Sequence, residues 1–573
     1  MKRLWIYLQD YKKECVLAPL FKMLEASFEL FVPLVVAAII DTGIANGDTG
    51  YILKMCMILI LLALIGLICS VTAQYFSAKA AIGFGTGLRR ALFKHLMGLS
   101  FTEIDMVGTS TMMTRMTSDV NQAQNGVNMV LRLFLRSPFV VFGSMVMAFT
   151  IDVKAAFIFV IAIILLSIVV FGIMLMNIPM LKSVQQKLDG VLGITRENLA
   201  GVRVIRAFCK EEEEIEAFKV KNEALTIAQK KAGKVSALMN PLTYVIINIA
   251  IVTLIWVGAI QVDNGILTQG QVVALYNYMS QILVELIKLA SLMITINKSV
   301  ACGNRIASVF EIKPSMEEGT EGTSRKSEVP VVDFKNVSLT YKGAGEESLT
   351  GIDFTVWQGQ TVGIIGGTGS GKTSLVHMIP RFYDATAGEV LIDGVNVKTY
   401  KTKALRDKIG IVMQKAVLFK GDIGSNMRWG KKDATEEEML EAIGIAQGED
   451  VVAQKGGLTG SIHQGGKNLS GGQRQRMSIA RTLVKKPDIL ILDDSTSALD
   501  FATDAKLRGA IKALDYKPTV FIVSQRASSI QYADLIIVLD DGKMVGKGTH
   551  EELLENCQVY SEIYYSQFRK EEK

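Results

Sequence analysis

The sequence predicts a membrane bundle of six α-helices with long cytoplasmic extensions, followed by an α/β domain built around a phosphate-binding loop. Three observations carry this. The 573 residues are 49% hydrophobic with a mean hydropathy of +0.31, and the apolar excess lies before about residue 300, in stretches that reach the roughly 20 residues a bilayer requires. After about residue 325, short apolar runs alternate with amphipathic helical patterns, as in a soluble α/β domain. Within that second part, Gly366-Gly367-Thr368-Gly369-Ser370-Gly371-Lys372-Thr373 fits G-x-x-x-x-G-K-[ST], placed after the apolar run 361–365 and before the helical pattern 374–379. Strand, glycine loop and helix in that order is the context the motif requires.

Six spans are expected near residues 16–42, 52–80, 128–150, 154–181, 236–262 and 267–297. The loops at 41–50, 151–154 and 261–270 are short and mostly acidic or neutral, whereas Lys2, Arg3, Lys12, Lys13, Arg89, Arg90, Lys94 and the segment 182–235 place positive charge on the other side. The positive-inside rule then puts both termini in the cytoplasm, and a removable signal peptide is not expected. The connections at 81–127 and 182–235 have helical patterning and read as extensions of the spans. Within them, residues 108–120 and 197–208 mix small, apolar and basic side chains as a docking surface would. Lys22, Glu25 and Glu29 share one face of the first span, and Glu285 and Lys288 pair at i, i+3 in the last. Two readings stand: Glu29 or Glu285 lines a path for cationic ligands, or these charges pair with one another near the cytoplasmic boundary.

A polar linker over 313–328 separates a membrane domain, 1–312, from a nucleotide-binding domain, 329–573. Six scattered cysteines without C-x-x-C spacing argue against a disulfide framework or a zinc site. The net charge of +6 sits at membrane flanks, with no basic stripe and interleaved aromatics, so no nucleic-acid partner is expected. In the second domain, glycines let backbone N–H groups wrap a phosphate chain, Lys372 reaches the terminal phosphates and Thr373 can hold Mg²⁺. The run Ile489-Leu490-Ile491-Leu492-Asp493-Asp494 is a buried strand ending in two carboxylates, of which Asp493 fits the Mg²⁺-ordering role. Upstream, Leu469-Ser470-Gly471-Gly472-Gln473 opens a helical run and suits backbone capture of an anion.

That pentapeptide, at this distance before the Asp strand, makes the chain resemble the ATP-binding cassette (ABC) family, and the six spans resemble the exporter half-transporters of that family. The resemblance covers nearly the whole chain. It implies a P-loop domain of ABC type that binds ATP and Mg²⁺, with Tyr341 stacking on adenine, Gln414 serving Mg²⁺ and coupling, and Ser497-Ala498-Leu499-Asp500 crossing a dimer interface. It also implies that the P-loop of one domain faces the Leu469–Gln473 equivalent of another, and that short coupling helices in the cytoplasmic connections press on the nucleotide domains.

Two positions depart from the family pattern. Where most members have glutamate after the Mg²⁺ aspartate there is Asp494, and where they have histidine after the next strand there is Gln525. An aspartate falls short of the attacking water by roughly 1 Å, which can cost about 10²-fold in rate. Gln525 can bond a γ-phosphate but cannot shuttle a proton. The site on this P-loop is therefore expected to bind ATP well and hydrolyse it poorly, while residues 469–473 complete a competent site on a second half-transporter. The pattern resembles the degenerate-site subunit of heterodimeric multidrug exporters and implies ATP-driven export of small amphipathic molecules by alternating access across the cell membrane. Lipid or peptide cargo, or a nucleotide-gated channel role, are the alternatives.

Overall fold

The computed structural model describes residues 2–321 and 328–568, so that part of the expected linker, 322–327, lies outside the described residues. The chain divides into two compact units: Met1–Met97 with Ser110–Ile312, and Gly98–Thr109 with Lys313–Lys573.

The first unit contains six helical stretches long and apolar enough to cross a membrane, at Leu4–Ile44, Thr49–Met97, Thr109–Ile151, Val153–Ala200, Glu211–Asp263 and Gln269–Glu311. They run well beyond the expected spans because the connections at 81–127 and 182–235 continue as helix, with only short breaks. The turns fall at the predicted loops, each marked by a cap. Asp152 accepts from the Ala155 N–H at 2.7 Å to open the fourth stretch, and Thr268 caps the sixth. Asp41 ties the first turn to the last, accepting from the Gly270 N–H at 2.7 Å and the Thr268 hydroxyl at 2.5 Å. A core of Phe159, Leu166, Leu254, Tyr278 and Ile282 is sealed from solvent, while Leu61, Leu64, Ile68 and Ile164 face outward as a lipid-exposed surface requires.

In the second unit, β3 (Thr361–Gly366), β6 (Ile409–Val412), β9 (Ile489–Asp493), β10 (Thr519–Val523), β11 (Leu535–Asp540) and β12 (Lys543–Gly548) form a six-stranded sheet in the order β12-β11-β3-β10-β9-β6, while the short β7 (Gly421–Asp422) and β8 (Ser461–Ile462) pair with each other. All pairings in the six-stranded sheet are parallel except β11 with β12 at the edge. Every residue of β9 and β10 is buried, the pattern of parallel strands covered on both faces. An antiparallel sheet of β1 (Val332–Leu339), β2 (Leu349–Val356), β4 (Ala387–Ile392) and β5 (Val395–Asn396) shares a core with the parallel strands, and its cross-strand partners Phe334 and Phe354 stack there with 4.6 Å between centroids. A second core, including Met439, Ile443, Met477 and Leu492, lies under the helices between Ile423 and Leu483.

The short helix Phe101–Val107 belongs to this second unit. Its Phe101 ring lies 4.5 Å from Phe382, and Tyr383 donates to Asp105 at 2.6 Å. Within the 108–120 segment expected as a docking surface, residues 115–119 form a π-helical turn whose Asp119 binds Arg115 and Arg305. The second connection carries the short helix Val202–Ala207, inside the expected 197–208. The polar segment after Lys313 is anchored to the domain it precedes, with Glu318 accepting from the Thr402 N–H at 2.9 Å and Glu321 pairing with the 399–401 backbone.

Candidate functional site

The glycine loop leaves β3 and enters the helix Lys372–Met378. Its curvature depends on glycine at two points: a Cβ on Gly366 would meet the Leu539 carbonyl oxygen at 2.1 Å, and Gly371, at φ +92°, would strike Leu349 and Ser348. At Gly369, also at positive φ, there is open space, so the loop forms a rim that a phosphate chain can approach. Lys372 is buried and its ammonium donates to the carbonyls of Gly366 (2.9 Å) and Gly367 (2.6 Å); burial pulls its pKa below the ordinary lysine value. The loop, Tyr341, Gln414, Asp494 and Gln525 line one cleft of about 870 Å³, within the range of nucleotide-sized sites.

Thr373 donates to Asp493 at 2.9 Å, at the buried end of β9. The Thr373 hydroxyl and Asp493 carboxylate, together with the Gln414 amide oxygen, are oxygen donors of the kind Mg²⁺ favours, and these residues would hold the ion. When bound there, Mg²⁺ would neutralise phosphate charge. His377, which sequence reasoning passed over, closes the back of this cluster, its Nε2 3.4 Å from Asp493 Oδ2 and its ring edge-on to Phe382. Its position one helical turn after Thr373 is the signal that could have found it.

Asp494 has φ +45°, a left-handed conformation uncommon for a non-glycine residue. Its N–H donates to the Val523 carbonyl at 3.1 Å, and its carboxylate accepts from Gln414 Nε2 at 3.0 Å. Burial raises the Asp494 pKa above the usual carboxylate range; Asp493 pushes the same way, while Gln414 and Lys372 oppose. A carboxyl group held by its backbone on the wall of a phosphate cleft can accept a proton or orient water, within the reach of its short side chain.

Tyr341 donates to Ser374 at 2.8 Å and sets its ring edge-on to Tyr383, 4.9 Å away. Burial raises both phenol pKa values, and for Tyr383 the Asp105 carboxylate adds to it. A chain of contacts therefore runs from the short helix Phe101–Val107 to the aromatic edge of the cleft.

Leu469 to Gln473 and Asp500 lie outside this cleft. Ser470 caps the helix Gly471–Leu483 in a reciprocal box with Gln473, leaving Gly471 and Gly472 at a helix start suited to anions. Asp500 caps Phe501–Lys512 through the Thr503 N–H at 3.1 Å, and that bonding holds its pKa low. One chain thus lines a cleft with its glycine loop and, elsewhere, presents the capped Leu469–Gln473 segment.

In the membrane unit, the charges flagged in the first and last spans are paired. Lys22 binds Glu25, and Glu285 binds Lys288. Arg136, unflagged in the sequence, donates to Glu285 at 2.7 Å and Glu29 at 2.5 Å, bridging the first, third and sixth spans. No local pattern links positions so far apart in sequence.

Comparisons with known proteins agree with this geometry. A family model described as the ABC transporter transmembrane region matches residues 15–286, and one described as ABC transporter matches 349–497. The chain is 35% identical to an uncharacterized ABC transporter ATP-binding protein of Mycobacterium tuberculosis, over 98% of this chain and 97% of that one. It is 33% identical to an ATP-dependent lipid A-core flippase of Desulfotalea psychrophila, over 84% of each. A solved structure of a bacterial Atm1-family ABC exporter with ATP bound shares the fold with a TM-score of 0.80 at 24% identity, covering 98% of this chain and 99% of that one. With a six-helix membrane unit joined to an ATP-binding, ATP-hydrolysing domain, the chain belongs to the ABC transporter family as an exporter half-transporter.

Proposed function

We propose that this half-transporter is the weakened-site subunit of a heterodimer that exports small amphipathic molecules across the cell membrane, with both termini in the cytoplasm. The observation that carries the reading is Asp494: its backbone is fixed to β10, so its carboxylate lacks the reach of a glutamate. Gln525, on the wall of the same cleft, can bond the terminal phosphate but cannot take its proton. The Leu469-Ser470-Gly471-Gly472-Gln473 segment is intact and properly capped, which supports its use on a partner's P-loop.

In this reading, ATP draws two nucleotide domains together, closure is transmitted through the short helices Phe101–Val107 and Val202–Ala207, and the bundle turns outward. Hydrolysis at the partner's site resets it. ATP binding must favour the closed state for the cycle to run. Purifying the chain alone and together with a half-transporter carrying glutamate and histidine at the matching positions tests the division of labour. The pair should show substrate-stimulated turnover and the single chain little; ordinary exporter turnover by the chain alone would overturn it.

A second cargo reading is lipid. It is favoured by the likeness to a lipid A-core flippase, and headgroup-labelled lipid flip assays in vesicles separate it from drug export.

A further inference from the structure

Gln525 and Arg526 form the turn between β10 and the short helix Ala527–Ile530. The first N–H groups of a helix have no partner within it. Here the Ala527 N–H donates to Gln567 Oε1 at 2.9 Å, while Gln567 Nε2 donates to the Gln525 carbonyl at 2.8 Å. One carboxamide therefore clasps the backbone on both sides of Arg526.

Gln567 is the last residue of the helix Gln558–Gln567, and that helix is anchored rather than frayed. Tyr560 is fully buried with its hydroxyl 2.7 Å from His550 Nδ1, and the Tyr564 ring stacks on Phe568 at 4.7 Å. From the other side, the Arg526 guanidinium donates to the carbonyls of Leu499 (3.1 Å) and Ser497 (3.0 Å) and lies 4.9 Å over the Phe501 ring. The turn that carries Gln525 is thus held between the C-terminal helix and the segment before Asp500. Gln525 itself lines the cleft.

We propose that Gln567 is a positioning residue for the ATP site: its two backbone hydrogen bonds set where Gln525 enters the cleft, and so set the preference for nucleoside triphosphate over diphosphate. The proposal rests on the reading of Gln525 as a γ-phosphate ligand. Gln567 does not itself line the cleft, so its effect must pass through Gln525.

The test uses the full chain in lipid nanodiscs with Mg²⁺, reading displacement of trinitrophenyl-ATP by AMP-PNP and by ADP. A hydrogen bond to a charged group corresponds to about a tenfold change in affinity, so Gln525→Ala should lower the triphosphate-to-diphosphate affinity ratio about tenfold. Gln567→Ala should lower it at least threefold with ADP affinity unchanged. Gln567→Glu, similar in shape but unable to donate to the Gln525 carbonyl, should do the same. In a Gln525→Ala background neither change should lower the ratio further.

A ratio unchanged in both Gln567 variants while Gln525→Ala lowers it would overturn this inference alone. So would equal weakening of AMP-PNP and ADP, or a further fall in the Gln525→Ala background. A ratio unaffected by Gln525→Ala would overturn the γ-phosphate reading together with the inference. Should Gln567→Ala fail to fold, Gln567→Glu carries the same outcomes.

Discussion

Lengthening one side chain should restore hydrolysis at the P-loop of this chain. Asp494 cannot move its backbone: its N–H is bound to the Val523 carbonyl and φ is +45°. Reach must therefore come from the side chain, and Asp494→Glu adds roughly 1.3 Å along it. A displacement of about 1 Å is worth about 10²-fold in rate, or ~2.7 kcal/mol of barrier. The change must remake the 3.0 Å bond from Gln414, a cost of about 1 kcal/mol if the bond is lost outright. The gain exceeds the cost, so phosphate release from the chain should rise between about 10-fold and 10²-fold, with ATP affinity nearly unchanged. The assay is phosphate release in nanodiscs, from the chain alone and from a pair whose partner has its own carboxylate replaced by glutamine. A rate within threefold of the parent, at saturating ATP, would refute the geometric reasoning.

Three further outcomes are expected. Because burial raises the Asp494 pKa, the folded state disfavours its ionised form, so Asp494→Asn should raise the unfolding temperature at neutral pH. That advantage should vanish as pH falls below the ordinary aspartate pKa of about 3.9, where the carboxyl is neutral in both states; thermal scans across pH read the trend. Arg136→Ala strips Glu285, only 4% exposed, of its guanidinium partner and should destabilise the membrane unit by about 3 kcal/mol, whereas Arg136→Gln with Glu285→Gln should cost less, as read by thermal unfolding in detergent. Tyr383→Phe removes the hydrogen bond to Asp105 and should lower stability by about 1 kcal/mol, with no additional loss when combined with Asp105→Ala.

Legibility from sequence followed the range of the interaction. Residues 366–373 and 489–494 could be placed because strand, loop and helix are adjacent in the chain, and the cleft brings 368–373 and Asp494 together with Tyr341 and Gln414. The three short membrane turns were visible for the same reason, as each combines a cap with a break in apolar periodicity. The short helix at 101–107 was not singled out, although Ser100 and Glu103 form the S-x-x-E box that announces a helix start. Arg136 could not be matched to Glu29 and Glu285 because 107 and 149 residues separate them. Nothing local marks Gln567 either; its importance arises from where the last helix ends in space.

The insertion of 98–109 into the second unit gives that unit a piece made long before the rest. During synthesis Phe101 and Asp105 emerge 278 or more residues ahead of their partners Phe382 and Tyr383, so the second unit stays unfinished until both of its segments are available. A fragment beginning at Lys313 would bare an aromatic patch beside Tyr341, and its nucleotide affinity and solubility would report on a molecule missing part of its own wall.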